Sequence, residues 1–178
     1  MIPLTLSEVA AVTNGELVED ADPAQVVDGP VDTDARRLGP GGLHVARVGE
    51  HADGHDFVPQ AVERGAVAAL VTRPVQGLAS IVVADVQDAF ERLASAVADR
   101  SSATVVAITG SSGKTSTKDL LAQLLARLGP TVASAESFNG EIGVPLTVLR
   151  ATESTRFLVV EMGARGAGHI AHLTGIVR

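Results

Sequence analysis

The sequence predicts an α/β protein, a small mixed α/β domain followed by an incomplete parallel-sheet domain. Three observations carry this. The short apolar runs Val67 to Val71, Ile81 to Ala84 and Val105 to Ile108 do not alternate with polar residues, the pattern of strands buried on both faces. Stretches of helical period lie between such runs. One strand, 105–108, leads directly into the glycine-rich segment Gly110-Ser111-Ser112-Gly113-Lys114-Thr115 and then into a long leucine-rich stretch.

Taken in order, Thr5-Leu6-Ser7-Glu8 has the form of a capping box, and Asn14-Gly15 is a stop signal, so a short helix lies between them. Val31 to Asp34 and Leu43 to Ala46 read as short strands around the turn Gly39-Pro40-Gly41-Gly42. Asp56 is placed to cap a helix running to about Arg64 and ended by Gly65. From about Gln87 to Arg100, Ala89, Phe90, Leu93, Ala96 and Val97 share a helical face. Ser101-Ser102 breaks that pattern, and the domain boundary is set there, with residues 1–102 in one domain and 103–178 in the next. Lys114 to Leu128 reads as a helix with Leu120, Leu121, Leu124, Leu125 and Leu128 as its core stripe, closed by Gly129-Pro130. Val132-Ala133 and Phe157 to Glu161 follow as strands, Gly143 to Leu149 as a short helix, and a last helix starts within Ala167 to Leu173.

Composition narrows the function classes. Hydrophobic residues make up 46% of the chain and charged residues 20%, enough for a buried core and too apolar for disorder. The net charge of −7 argues against a nucleic-acid face and confines any anion site to a local feature. Without cysteine there is neither a disulfide framework nor thiolate chemistry. Without Trp or Tyr, and with only four Phe, recognition by aromatic stacking is mostly closed off. The first twenty residues lack a basic region followed by a long apolar one, and no stretch approaches the roughly 18 apolar residues of a membrane span, so a cytoplasmic protein is expected.

The glycine segment carries the clearest chemistry. Gly110 and Gly113 let the backbone turn and approach an oxygen with no Cβ in the way. The amides that follow then face the mouth of a helix, where the macrodipole favours anions. Lys114 supplies a mobile positive charge for β- and γ-phosphates, and Thr115 a hydroxyl for Mg²⁺. Two residues rather than the usual four separate the two glycines, a shortened phosphate loop. A second carboxylate is required for the metal, and Glu161 ends an apolar strand at the sheet edge where such ligands bind.

Several longer segments resemble the Mur ligase family. They are Ile108 to Lys118 around the loop, Ser137-Phe138-Asn139-Gly140-Glu141-Ile142-Gly143-Val144-Pro145-Leu146-Thr147, and Glu161-Met162-Gly163-Ala164. In the first domain they are Thr33-Asp34-Ala35-Arg36 and Asp53-Gly54-His55-Asp56-Phe57. The 139–147 stretch and Glu161-Met162-Gly163 resemble the branch that adds D-Ala-D-Ala rather than the sibling that adds a diamino acid. The resemblance implies a UDP-MurNAc-peptide-binding first domain and an ATPase second domain of the P-loop type. It implies ATP and Mg²⁺ as cofactors, with UDP-MurNAc-tripeptide and D-Ala-D-Ala as substrates, joined through an acyl phosphate in peptidoglycan-precursor synthesis. It assigns ATP binding to Gly110, Ser111, Ser112, Gly113, Lys114, Thr115 and Ser116, the metal to Thr115 and Glu161, catalysis to Lys114 and Glu161, and substrate contacts to Asp34, Arg36 and Asn139. It further implies a monomer at full length and a third domain that receives the amine, so that the 178 residues by themselves are expected to be inactive. The family usually has Asp-Ser-Arg where this chain has Asp34-Ala35-Arg36, which puts the role of the middle residue in question. The alternative from another class is a non-catalytic nucleotide- or UDP-sugar-binding module.

Other polar features read more simply. Asp34 and Arg36 also fit a surface ion pair. His51 and His55 are four apart, but Asp53 and Gly54 between them disfavour the helix that metal-ligand spacing would need. His169 and His172 read as a solvated helix face, and the acidic run Glu16 to Asp22 as solvated surface.

Overall fold

The computed structural model describes residues 1–18, 21–135 and 137–177, so Glu19 and Asp20 of the acidic run lie outside the described residues. The chain folds as two compact units, one running through Pro3–Leu93 and the other from Ala94 onward.

The first unit opens with strand β1, Leu4–Thr5, and helix α1, Leu6–Thr13. Thr5 accepts from Glu8 N, and the Glu8 carboxylate accepts from Thr5 N at 2.8 Å, so both halves of the expected capping box form. Asn14 ends the helix in the left-handed region at φ 52°, where its short polar side chain is tolerated. The remaining strands are β2, Glu16–Leu17, β3, Val26–Val27, β4, Val31–Asp32, β5, Gly42–Val45, β6, Ala66–Val71, and β7, Ala79–Val82. Five of them form one sheet in the order β2-β7-β6-β5-β4. It is parallel from β4 to β7, with β2 antiparallel at the β7 edge, while β1 pairs separately with β3. β5 is buried throughout although it contains His44, and β6 is buried almost throughout, which accounts for its unbroken apolar run.

The helix expected from Asp56 begins differently. Asp53, not Asp56, makes the cap: it accepts from His55 N at the start of a 3₁₀ turn, Gly54–Phe57. Helix α2, Val58–Glu63, follows with no side-chain cap and with a proline in its first turn. That proline has no N–H for a cap to satisfy. Gly65 stops the helix at φ 85°, as expected.

Helix α3, Val86–Arg100, buries Ala89, Phe90, Leu93, Ala94, Val97 and Ala98. Ala94 and Ala98, rather than Ala96, complete the predicted face. The division between the units falls inside this helix.

The second unit holds β8, Thr104–Ile108, α4, Lys114–Ala126, β9, Thr131–Ala133, α5, Gly143–Val148, β10, Phe157–Glu161, and α6, His169–Ile176. Its sheet is parallel in the order β8-β10-β9. β10 is the middle strand, with Leu158, Val159 and Val160 fully buried, each worth roughly 1.5–3 kcal/mol. Two expectations fail here. β8 is half-buried rather than buried, since among the described residues it pairs on one side only. Leu120, Leu124 and Leu128 are each 63% exposed and do not form a core stripe. The helix presents only one face to β9 and β10, and Lys118 and the half-buried Leu121 and Leu125 occupy it. No helix of the described residues is long and apolar enough to cross a membrane.

Replacing Thr5 by Ala removes the side-chain half of the α1 cap. It is expected to lower stability by about 1 kcal/mol, read as a lower urea midpoint at unchanged slope. An unchanged midpoint would show that α1 is held by packing alone.

Candidate functional site

The site grows from the carboxyl ends of β8 and β10. Their parallel register sets Glu161 opposite Ile108, the last residue of β8 before the glycine loop. The loop runs exposed from Gly110, and Gly113 enters α4 at φ 75° in the left-handed region, with no atom within 4 Å of where a Cβ would stand. The approach to the first amides of α4 is therefore open, and an anion there meets the positive end of a 13-residue helix. Lys114 Nζ folds back over the loop and donates to the Gly110 carbonyl at 2.8 Å.

Glu161 is 1% exposed. A carboxylate that deep must be hydrogen-bonded, and each oxygen has a donor. Thr115 Oγ1 donates to Oε2 at 2.9 Å, and Asn139 Nδ2 donates to Oε1 at 3.0 Å. The fold thus brings Thr115 of α4 and Glu161 of β10, expected together at the metal, into contact with Asn139 from the segment before α5, expected on the substrate side. Asn139 is fixed at its backbone too, because its carbonyl accepts from Gly163 N at 2.7 Å. A Cβ at Gly163 would lie 2.9 Å from Asn139 Oδ1, so a larger residue there would displace the Asn139 side chain. The Thr115 hydroxyl and Glu161 carboxylate form an oxygen-only donor set, hard in character, and both donors to the carboxylate are neutral. That chemistry fits Mg²⁺ better than a thiophilic metal.

Sequence reasoning missed a second group around the Asn139 segment. Glu141 meets Arg165 Nη1 at 3.0 Å, and its Oε1 lies 2.9 Å from His169 Nε2. Its own backbone N–H, and then Arg165 and His169, hold the Glu141 carboxyl below its ordinary range. His169 Nδ1 accepts from Arg165 N at 3.1 Å. His169 is therefore engaged with the site loops and does not belong to a solvated helix face. No spacing in the sequence links residue 141 to 169.

Asp34 and Arg36 lie in the first unit, directly after β4. The Arg36 guanidinium bonds both Asp34 oxygens, with Nη2 to Oδ2 at 2.8 Å, and holds the Asp34 carboxyl down at about 2. The Arg36 side chain is 72% exposed, so the pair leaves the guanidinium reachable. Ala35 between them is buried against Leu38, Ala61 and Ala66. A hydroxyl at this position would point into the core, so alanine costs this loop no outward-facing contact.

The two histidines four apart part ways, His51 being exposed and His55 buried. His55 is buried, with Nδ1 on Asp53 Oδ1 and Nε2 accepting from Thr72 N at 3.1 Å. Asp53 also takes Arg73 Nη2 at 3.0 Å, and the His55 backbone N–H, followed by the His55 ring, holds its carboxyl at about 2. The neighbouring buried His44 donates from Nε2 to the Gly54 carbonyl at 2.9 Å, and burial pushes its pKa down.

Residues 30–127 match a family model described as Mur ligase family, catalytic domain, and residues 108–178 one described as Mur ligase middle domain. The chain is 45% identical to the UDP-N-acetylmuramoyl-tripeptide--D-alanyl-D-alanine ligase of Mycobacterium leprae, over 99% of its own length and 40% of that protein. It is 44% identical to the Escherichia coli protein of the same name, over 100% and 39%. A MurF crystal structure from Acinetobacter baumannii superposes with a TM-score of 0.86 at 34% identity, over 98% of this chain and 39% of that one. The MurF ligase of Thermotoga maritima in complex with ADP does so at 0.69 and 34%, over 83% and 35%. The chain thus spans about 40% of the length of the curated relatives it matches.

The Asp34 carboxyl should titrate near pH 2 by NMR, and Arg36→Ala should raise its midpoint toward the ordinary aspartate range. Because the folded pKa is depressed, the pair's contribution to stability is present above the ordinary aspartate range and is lost as pH falls toward 2. A midpoint unmoved by Arg36→Ala would remove the ion pair as the cause.

Proposed function

Because the chain belongs to the Mur ligase family, we propose that it carries the nucleotide- and substrate-binding parts of an ATP-dependent ligase that adds D-Ala-D-Ala to UDP-MurNAc-tripeptide. The observation that carries this reading is the meeting of Thr115, Glu161 and Asn139 at the mouth of the glycine loop. The names of the relatives, and ADP in the Thermotoga maritima complex, support the substrate and nucleotide assignments.

In this reading residues 1–102 hold the UDP-MurNAc-peptide and residues 103–178 the triphosphate. Gly110, Ser111, Ser112, Gly113 and Ser116 wrap the phosphates with backbone amides and hydroxyls. Lys114 leaves the Gly110 carbonyl to meet the β- and γ-phosphates. Thr115 and Glu161 hold Mg²⁺, which offsets phosphate charge when bound. Two anions must then meet, the peptide carboxylate and the γ-phosphate, and Lys114 and the loop amides lower their repulsion. The carboxylate oxygen bonds to the γ-phosphorus as the bond to ADP breaks, giving an acyl phosphate. The D-Ala-D-Ala amine adds to that carbonyl, phosphate leaves, and the amine loses its proton. Asn139 holds the Glu161 carboxylate and faces the substrate side. Asp34 fixes Arg36, whose forked donors suit a diphosphate. Peptidoglycan-precursor synthesis and a cytoplasmic setting follow from these substrates.

Two binding measurements test the reading. Lys114→Ala should weaken ATP binding in Mg²⁺ by at least about tenfold, the loss of one charged hydrogen bond, without changing the melting temperature. UDP-MurNAc-tripeptide should shift the NMR signals of Asp34 and Arg36, since Arg36 is assigned to its diphosphate. Wild-type ATP affinity in the Lys114 variant would overturn the loop assignment. Peptide-induced shifts confined to the loop would overturn the assignment of the first domain.

A further inference from the structure

Beneath Glu161 lies a buried polar junction that nothing in the proposed chemistry uses. Its centre is Ser134, 3% exposed, just past the end of β9. Ser134 N donates to the Val159 carbonyl at 3.0 Å, the last regular rung between β9 and β10. In a parallel ladder the next rung would carry the Glu161 N–H to the Ser134 carbonyl. That carbonyl is taken instead by Lys118 Nζ from α4, at 2.9 Å. The Glu161 N–H turns to Ser134 Oγ, at 3.0 Å. Ser134 Oγ lies 3.2 Å from Thr147 Oγ1, which lies 2.7 Å from the Gly143 carbonyl.

Each hydroxyl has one hydrogen. Thr147 Oγ1 is placed to donate both to the Gly143 carbonyl and to Ser134 Oγ, so its single hydrogen is shared, and Ser134 Oγ accepts from Thr147 and from the Glu161 N–H. Lys118 is 2% exposed and Thr147 1%. A buried ammonium is expensive unless it is well bonded, and Lys118 is tied to Ser134 and to Asp119, at 2.9 Å. The junction therefore joins α4, β9, β10 and α5 at the one residue whose side chain Thr115 and Asn139 also hold.

We infer that Lys118, Ser134 and Thr147 are positioning residues that fix the backbone of Glu161, so that its carboxylate meets the Thr115 hydroxyl at a spacing a divalent cation accepts. This rests on the reading that Thr115 and Glu161 hold Mg²⁺. The junction sets how well the metal is held and leaves the grip of the loop amides on the nucleotide untouched.

The test is the Mg²⁺ dependence of binding of a fluorescent ATP analogue to the 178-residue chain, with thermal melting alongside. Thr147→Val keeps the shape and removes the hydroxyl, and it should raise the Mg²⁺ concentration required by about tenfold, as for lost outer partners of a metal ligand. Affinity without Mg²⁺ should stay as in the wild type, and Thr147→Ser should restore the normal requirement. Ser134→Ala should repeat the effect, and it decides the matter if Thr147→Val does not fold. Unchanged Mg²⁺ dependence in the folded variants, or an equal loss with and without Mg²⁺, would overturn the inference. A wild-type chain that binds the analogue without any Mg²⁺ dependence would instead remove the metal assignment itself.

Discussion

The second unit is organised by one constraint: a carboxylate buried to 1% exposure must find a donor for each oxygen. Glu161 reaches that depth because it ends the middle strand of the sheet, with three fully buried residues immediately before it. Its donors come from segments far apart in sequence, Thr115 in the first turn of α4 and Asn139 before α5. Neither segment can shift without leaving the charge short of a partner, so satisfying the carboxylate and assembling the site are the same event. The narrow passage at Gly163 and the contacts of Glu141 with Arg165 and His169 serve the same end, closing the Asn139 segment against the loop after β10.

The first unit handles polar groups in another way. Its sheet is mostly parallel, so its strands are mainly apolar, and the charged turns lie in the loops between them. Asp34 and Asp53 each close a tight turn by accepting from a backbone N–H two residues on, and each then holds an arginine. The two turns differ in what they expose. Around Asp53 the histidine is buried, and the network serves the fold. Around Asp34 the arginine side chain stays exposed to solvent while it is paired with the carboxylate.

Several local signals in the sequence matched the structure because the deciding interaction is itself local, although the cap expected at Asp56 is made by Asp53 three residues earlier. The capping box from Thr5 to Glu8 spans four residues, the left-handed stops at Asn14 and Gly65 need only their own dihedrals, and the glycine loop is read from one strand–turn–helix segment. The unbroken apolar runs of β6 and β10 marked them as interior strands. The strands β1, β2 and β3 escaped notice because each has two residues, too few for any period to show. The α4 leucines misled for a related reason. They form two adjoining stripes on one helix, and periodicity cannot say which stripe the sheet will cover. The burial of Lys118 was equally hidden, since its partner carbonyl lies in β9's end turn, sixteen residues on.

By itself, then, the sequence determined the longer strands and helices, the strand–glycine turn–helix form of residues 105–126 and the chemical types at 34, 36, 139 and 161, because these follow from local dihedral preference and residue chemistry. Only the tertiary structure decided that β10 inserts between β8 and β9. That choice places Glu161 beside the loop, between Thr115 and Asn139, and turns its backbone N–H onto Ser134. The physical reason is that strand pairing and the burial of a charge are settled by groups brought together from across the chain, and no window of sequence contains both partners.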